Sequence, residues 1–224
     1  MKRLLRKVAA LRSMITIARD PRRLDAVFKL RESLDEGKAL GPVLARLRAN
    51  EVTAKALRER ARVGRVDLAA LGRLPEGTLG RAYADFLRAA GLDPSNLPVL
   101  ESRNEFQWFA AHLYETHDVW HVATGFGPDV AGELGLQAFY LAQFESPLPV
   151  AILAAGMLNT ALSAMPEAGK RMEEIARGWQ LGRAARPLFG FPWAEHWSRP
   201  LDDVRRELGL PASPGGELAH LQAA

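Results

Sequence analysis

The chain has 224 residues, with 30 Lys and Arg against 26 Asp and Glu, five His and no Cys. That length fits one large domain or two small ones, and a hydrophobic fraction of 48% supplies a sizeable core and excludes wholesale disorder. Without cysteine there is no disulfide, no thiolate metal ligand and no cysteine nucleophile, a composition that suits a reducing compartment.

The net charge of +4 is unevenly spread. Residues 1–23 hold eight Lys or Arg against the single acid Asp20, so the remainder of the chain is slightly acidic. The spacing predicts a first helix ending near Arg19, before Pro21, with Leu4, Val8, Leu11 and Ile15 on one face. The apolar runs are too short for a secretory signal, although an Arg-rich, acid-poor start resembles a mitochondrial presequence. Basic amphipathic helices also bind anionic lipid.

Helical periodicity dominates from there on. A second helix is predicted over 22–34. A third starts near Pro42 and runs to about Arg62, with Val43, Leu47, Val52 and Leu57 as its buried side. Thr78 is a good N-cap, because its hydroxyl can accept from a free first-turn N–H; its helix ends at Gly91, and Asp93-Pro94 opens a loop. Asn104 or Arg103 begins a helix carrying His117 and His121. At about 100° per residue both imidazoles lie on its apolar face, Asp118 lies on the edge of that face, and His112 points away toward solvent.

A break at 124–129 precedes a partner helix from Pro128 or Asp129 to about Phe144. Ala131, Gly135, Ala138 and Ala142 form a small-residue stripe along it, which lets another backbone approach closely. Glu133 falls on its apolar stripe, where a carboxylate needs a cation or a donor. Residues 146–166 carry no charge but are broken by Pro147 and Pro149, and the apolar run is short of the ~20 residues that cross a bilayer; a buried helix is predicted. A basic helix over 167–187, an aromatic stretch over 191–201 and a short helix over 200–208 complete the pattern. The predicted organisation is a basic amphipathic helix (1–20), a single all-helical domain (21–210) and a flexible tail (211–224). Aromatic residues do not interleave with the basic patch as they do on nucleic-acid surfaces, so no nucleic acid is expected.

Residues four apart on a helix stack on one face, so His117 and His121 can chelate one metal. Two histidines at that spacing are common and often only structural. The adjoining Asp118 and the Glu133 on an apolar stripe strengthen the metal interpretation. Zinc fits this ligand set; manganese and ferrous iron stay open. Zinc proteases place a water-activating Glu after the first His, whereas here the residue is Asp, which weakens a hydrolase interpretation. Arg81 and Arg183 could anchor an anion, with surface ion pairing the plainer role for each.

The motif His117-Asp118-Val119-Trp120-His121, eleven residues, then Glu133, resembles the signature of the fourth protein of coenzyme Q (ubiquinone) biosynthesis. Leu74–Tyr83 and the closing block with Trp193, Trp197, Pro200-Leu201 and Arg205–Gly209 resemble the same family. One departure is Ala194 where an acid is expected, with Glu195 one place later. The resemblance implies an all-α protein with one divalent metal, zinc foremost, held between two antiparallel helices by His117, Asp118, His121 and Glu133. It also implies removal of the C1 carboxyl of a polyprenylated 4-hydroxybenzoate-type intermediate, oxidative in some members, with these four residues as the catalytic set. Expected partners are the prenyl lipid, a membrane surface, other coenzyme Q biosynthesis proteins and a second copy as a homodimer. The expected location is the cytoplasmic face of a bacterial inner membrane, or alternatively the matrix side of the mitochondrial one. A competing expectation is a non-enzymatic lipid-binding scaffold that presents prenylated intermediates to other enzymes.

Overall fold

The computed structural model describes residues 2–21, 23–34, 36–60, 62–92, 100 and 102–212. The loop opened by Asp93-Pro94 and nearly all of the tail after Pro211 lie outside them. The described chain is all-helical, and its one β feature is an isolated bridge between Thr78 and Pro200. The helices are α1 (Lys2–Arg19), α2 (Leu24–Ser33), α3 (Glu36–Ala49), α4 (Glu51–Glu59), α5 (Leu68–Leu71), α6 (Leu79–Ala89), α7 (Glu105–Thr124), α8 (Val130–Phe144), α9 (Pro147–Ser163), α10 (Ala168–Ala184) and α11 (Leu201–Glu207). Contacts divide the chain into two compact units, residues 1–49 with 126–183 and residues 50–125 with 184–224.

In the first unit α1 packs on α2 and α9 around Ile17, Ala26, Leu30 and Ala155. The face of α1 predicted from Leu4, Val8, Leu11 and Ile15 exists, but it points outward, with Leu11 58% exposed. A buried polar chain ties the helices together. Arg171 donates to Asn159 Oδ1 (2.9 Å) and Thr160 Oγ1 (2.8 Å), and the Asn159 amide donates to the Ala18 carbonyl (2.8 Å). The predicted burial of the uncharged helix is corrected: α9 buries Pro149, Ala155, Gly156, Asn159 and Thr160 but exposes Val150, Leu158 and Leu162. Only one side of it meets α1 and α8.

The small-residue stripe of α8 does receive another backbone. A Cβ at Gly178 of α10 would lie 1.9 Å from the Gly135 carbonyl oxygen, and one at Gly182 would lie 2.8 Å from the Phe139 oxygen. α8 and α10 therefore meet through main chain at both positions.

The expected continuous helix from Pro42 to about Arg62 is overturned at both ends of its first half: α3 already starts at Glu36 and stops at Ala49, the last residue of this stretch of the first unit. In the second unit the helix restarts as α4 at Asn50, whose side chain accepts from Val52 N (3.0 Å) and Thr53 N (3.3 Å). The restart resets the phase, so Val52 is 58% exposed while Thr53, Ala56 and Leu57 turn inward. Thr78 caps α6 as predicted, accepting from Arg81 N. The segment before α6 pairs with the aromatic block: Leu79 N donates to Arg199 O (2.9 Å), Gly80 N to Trp197 O (2.8 Å) and Leu201 N to Gly77 O (2.8 Å).

Candidate metal centre

α7 forms because residues 105–124 contain neither Gly nor Pro and the helix is capped at both ends. Asn104 accepts from Gln107 N (2.9 Å) at the start. Gly125, at φ 74°, closes the other end in the left-handed conformation that glycine adopts freely, its N–H donating to the His121 carbonyl. Trp108, Phe109, Ala111, His112, Thr116 and Val119 through Thr124 are all buried, so α7 is enclosed on most sides.

That enclosure overturns the solvent position expected of His112, which is 3% exposed. Its ring stacks on Trp108 (5.1 Å between centroids), meets the edge of Phe189 (5.0 Å), and its Nε2 accepts from Gly190 N (3.3 Å). A wheel drawn with one buried face cannot find such a residue.

His117 and His121, one turn apart, bring their Nε2 atoms to 3.3 Å. Two nitrogens bound to one tetrahedral metal at ~2.05 Å are separated by about 3.3 Å, so this spacing is that of two ligands of one ion. His121 is buried and His117 half-buried. Phe86 of α6 stacks on the His121 ring at 5.4 Å and 22°, and Tyr83, one turn earlier, stacks on Trp197 at 5.3 Å. Neither aromatic contact was anticipated from the motif, although their i, i+3 spacing on a strongly two-sided helix is the signal that places both on one face.

Glu133 arrives by a separate device. Asp129 caps α8, accepting from Gly132 N (2.8 Å). A Cβ at Gly132 would lie 2.1 Å from the Gly127 oxygen, so glycine there lets the turn fold tightly onto the start of α8, one residue before Glu133. His117 and His121 supply two imidazole nitrogens from the second unit, and Glu133 supplies a carboxylate from the first. Two imidazole nitrogens and a carboxylate are the donor set of a three-ligand site with an open position.

Asp118 is not in that group of three. It is half-buried and its charge acts on two phenols. Burial, aided by Asp118, pushes Tyr83 well above its ordinary value and raises Tyr114 also. Of the candidate anchors, Arg81 pairs with Asp85 (2.8 Å) and Arg183 lies over the Trp179 ring; Glu195, the acid one place beyond the family pattern, is exposed.

Arg205 was legible only as part of a sequence block. It is 8% exposed, donates through Nε to the Ala123 carbonyl (3.0 Å) and through a terminal nitrogen to the Val122 carbonyl (2.9 Å). Within the second unit, parts of the blocks that resembled one family meet, with 77–80 against 197–201 and Arg205 against the end of α7.

No described helix is long and apolar enough to cross a membrane. Among similar proteins is a ubiquinone biosynthesis protein of Caenorhabditis elegans, named as mitochondrial, 28% identical over 92% of this chain and 90% of its own length. Another, from Lodderomyces elongisporus and also named as mitochondrial, is 30% identical over 81% of this chain but only 51% of its own. A crystal structure from Nostoc punctiforme PCC 73102, of a protein assigned to ubiquinone biosynthesis, superposes with a TM-score of 0.78 at 29% identity, covering 91% of this chain and 97% of that one. The model of the coenzyme Q (ubiquinone) biosynthesis protein Coq4 family matches residues 1–214, and the chain belongs to that family.

Proposed function

We propose that this protein removes the C1 carboxyl of a polyprenylated 4-hydroxybenzoate-type intermediate, using a divalent metal, zinc foremost, held by His117, His121 and Glu133. The observation that carries the proposal is the 3.3 Å approach of two imidazole nitrogens on one face of α7, the spacing of two ligands of one ion. Family membership supports the pathway. When bound, the metal supplies Lewis-acid polarisation of a substrate carboxylate or phenolate oxygen.

The 4-hydroxyl is para to C1, so its ionisation pushes electron density to the carbon that takes a proton as CO2 leaves. The bond from C1 to the carboxyl breaks, its electron pair stays on C1, and one proton replaces the CO2. Asp118 is assigned to that proton, with ligation of the metal as its alternative part. Burial, aided by the Asp118 charge, raises the Tyr83 and Tyr114 phenols and keeps both protonated. An oxidative outcome, in which hydroxyl replaces carboxyl, consumes an oxidant and calls for a redox-active metal such as iron in place of zinc.

The apolar residues of 134–165 are assigned to the prenyl tail. The outward apolar face of α1, with Leu4, Leu5, Val8, Leu11 and Ile15 exposed in a stretch rich in Lys and Arg, suits the surface of an anionic membrane where such a lipid resides. In a bacterium that surface is the cytoplasmic face of the inner membrane. Other coenzyme Q biosynthesis proteins and a second copy are its proposed partners.

The test is release of CO2 from a prenylated 4-hydroxybenzoate by purified protein, stripped of metal and then reloaded. Turnover that follows metal content supports the proposal. Metal-replete, folded protein that binds the lipid without turning it over contradicts it and favours a scaffold.

A further inference from the structure

The end of α7 presents a hydrogen-bonding problem that one side chain solves. The last carbonyls of a helix have no partner within it, and here that end is buried: Val122 is 6% exposed and Ala123 1%. The His121 carbonyl is satisfied by Gly125 N at 2.8 Å. The next two accept from a single guanidinium, Arg205 Nε on Ala123 and its terminal nitrogen on Val122. The remaining nitrogen is held by Asp202 (3.3 Å) and by the Ala212 carbonyl (3.1 Å). Arg205 is therefore fixed on all three nitrogens. Its planar fork matches two successive carbonyls in a way that an ammonium cannot, and its charge sits at the negative end of the helix dipole.

We propose that Arg205 is a positioning residue for the metal ligands, clamping the last turn of α7 so that His121 holds its ring at the spacing from His117 that one ion requires. The inference rests on the metal site proposed above. It goes beyond that site in assigning its geometry to α11, which contributes no ligand of its own. The logic is one of precision. His121 opens the turn whose carbonyls Arg205 holds. If that turn frays, the two Nε2 atoms lose a fixed separation, and ordering them at the moment of binding weakens the metal.

A merely structural Arg205 would lower stability and leave the metal environment alone, so the test reads both. Wild type, Arg205→Lys, Arg205→Met and, as a control, Leu57→Ala are compared by thermal unfolding, by Co2+ affinity and by the visible d–d spectrum of the bound cobalt. Leu57 is buried on α4 in the same unit and takes no part in the Arg205 hydrogen bonds, so its truncation destabilises and leaves that clamp in place. The expected result is that Arg205→Met binds Co2+ at least tenfold more weakly with an altered spectrum. Arg205→Lys, with one donor head in place of the fork, should stay folded and lose a few-fold. Leu57→Ala should keep the wild-type affinity and spectrum despite a lowered Tm.

A folded Arg205→Lys or Arg205→Met with wild-type affinity and spectrum overturns the proposal. So does a Leu57→Ala that weakens cobalt as much as the Arg205 variants do. Should Arg205→Met fail to fold, Arg205→Lys alone decides. A folded wild type that binds no Co2+ overturns the metal site itself and this inference with it, an outcome distinct from the other two.

Discussion

Replacing Gly178 by Ala probes the main-chain contact that fixes α8, the helix of Glu133. The new methyl would lie 1.9 Å from the Gly135 carbonyl oxygen and 2.8 Å from its carbon, against an ordinary contact that begins near 3.4 Å. Both obstructing atoms belong to backbone inside a helix, so no rotamer change relieves them. α10 must withdraw by the difference, 1.5 Å, which also loosens the Gly182 contact with Phe139 one turn later. Overpacking of this kind costs roughly 3 kcal/mol, a large part of the ~5–15 kcal/mol that holds a domain together. Urea unfolding followed by circular dichroism measures it. Gly169→Ala on the same helix is the control, because a methyl there meets nothing within 4 Å; it should be neutral or add up to ~1 kcal/mol. Since Gly135 lies two residues from Glu133, Gly178→Ala should also weaken metal binding. A Gly178→Ala protein within about 1 kcal/mol of wild type would refute the close approach of α8 and α10.

Asn50→Ala should lose about 1 kcal/mol by uncapping α4, read from the shift in urea midpoint; no shift would mean the helix does not restart there. At Asp129, burial alone would raise the carboxyl, but hydrogen bonds from Lys170 and Gly132 N outweigh it and hold the pKa below the ordinary 3.8. A depressed carboxyl stabilises the fold above its unfolded pKa, and that contribution fades as pH falls from about 5 through the folded value. Lys170→Met should therefore flatten the acid limb of the stability curve below pH ~5 and leave it parallel to wild type near pH 7; because the pair is half exposed, the effect is small. Ultraviolet titration of Tyr83→Phe should remove a phenol that resists ionisation well above pH 10, whereas an unchanged alkaline limb would place Tyr83 in solvent. Serines at Leu4, Val8 and Leu11 together should leave the Tm within a few degrees of wild type, because those side chains are exposed, while abolishing co-sedimentation with anionic vesicles; retained binding would move the membrane contact elsewhere.

Much of the architecture could be read from local signals. Thr78, Asn104 and Asp129 announce helix starts through side chains that accept first-turn N–H groups, and the small stripe of α8 announces a close neighbour. What escaped was set by tertiary context. Asn50 is an N-cap hidden within a stretch of uniform helical propensity, and the phase change it imposes turned Val52 outward. His112 escaped because α7 is enclosed on several sides and a polar residue can be buried where a backbone N–H, here that of Gly190, meets its ring. Residues 147–163 escaped in the opposite sense, because an uncharged helix need not be covered. At the site, the i, i+4 histidines gave the shared face, and their orientation against Phe86 and under the hold of Arg205 came from residues 35 before and 84 after His121.

The most direct test of the central claim is the metal content of purified wild type beside His121→Ala and Glu133→Ala, after zinc is supplied and excess removed. Near-stoichiometric metal in the wild type, lost in both folded variants, is the predicted result. A folded wild type that retains no metal, or variants that retain as much as it does, would contradict the site built on His117, His121 and Glu133.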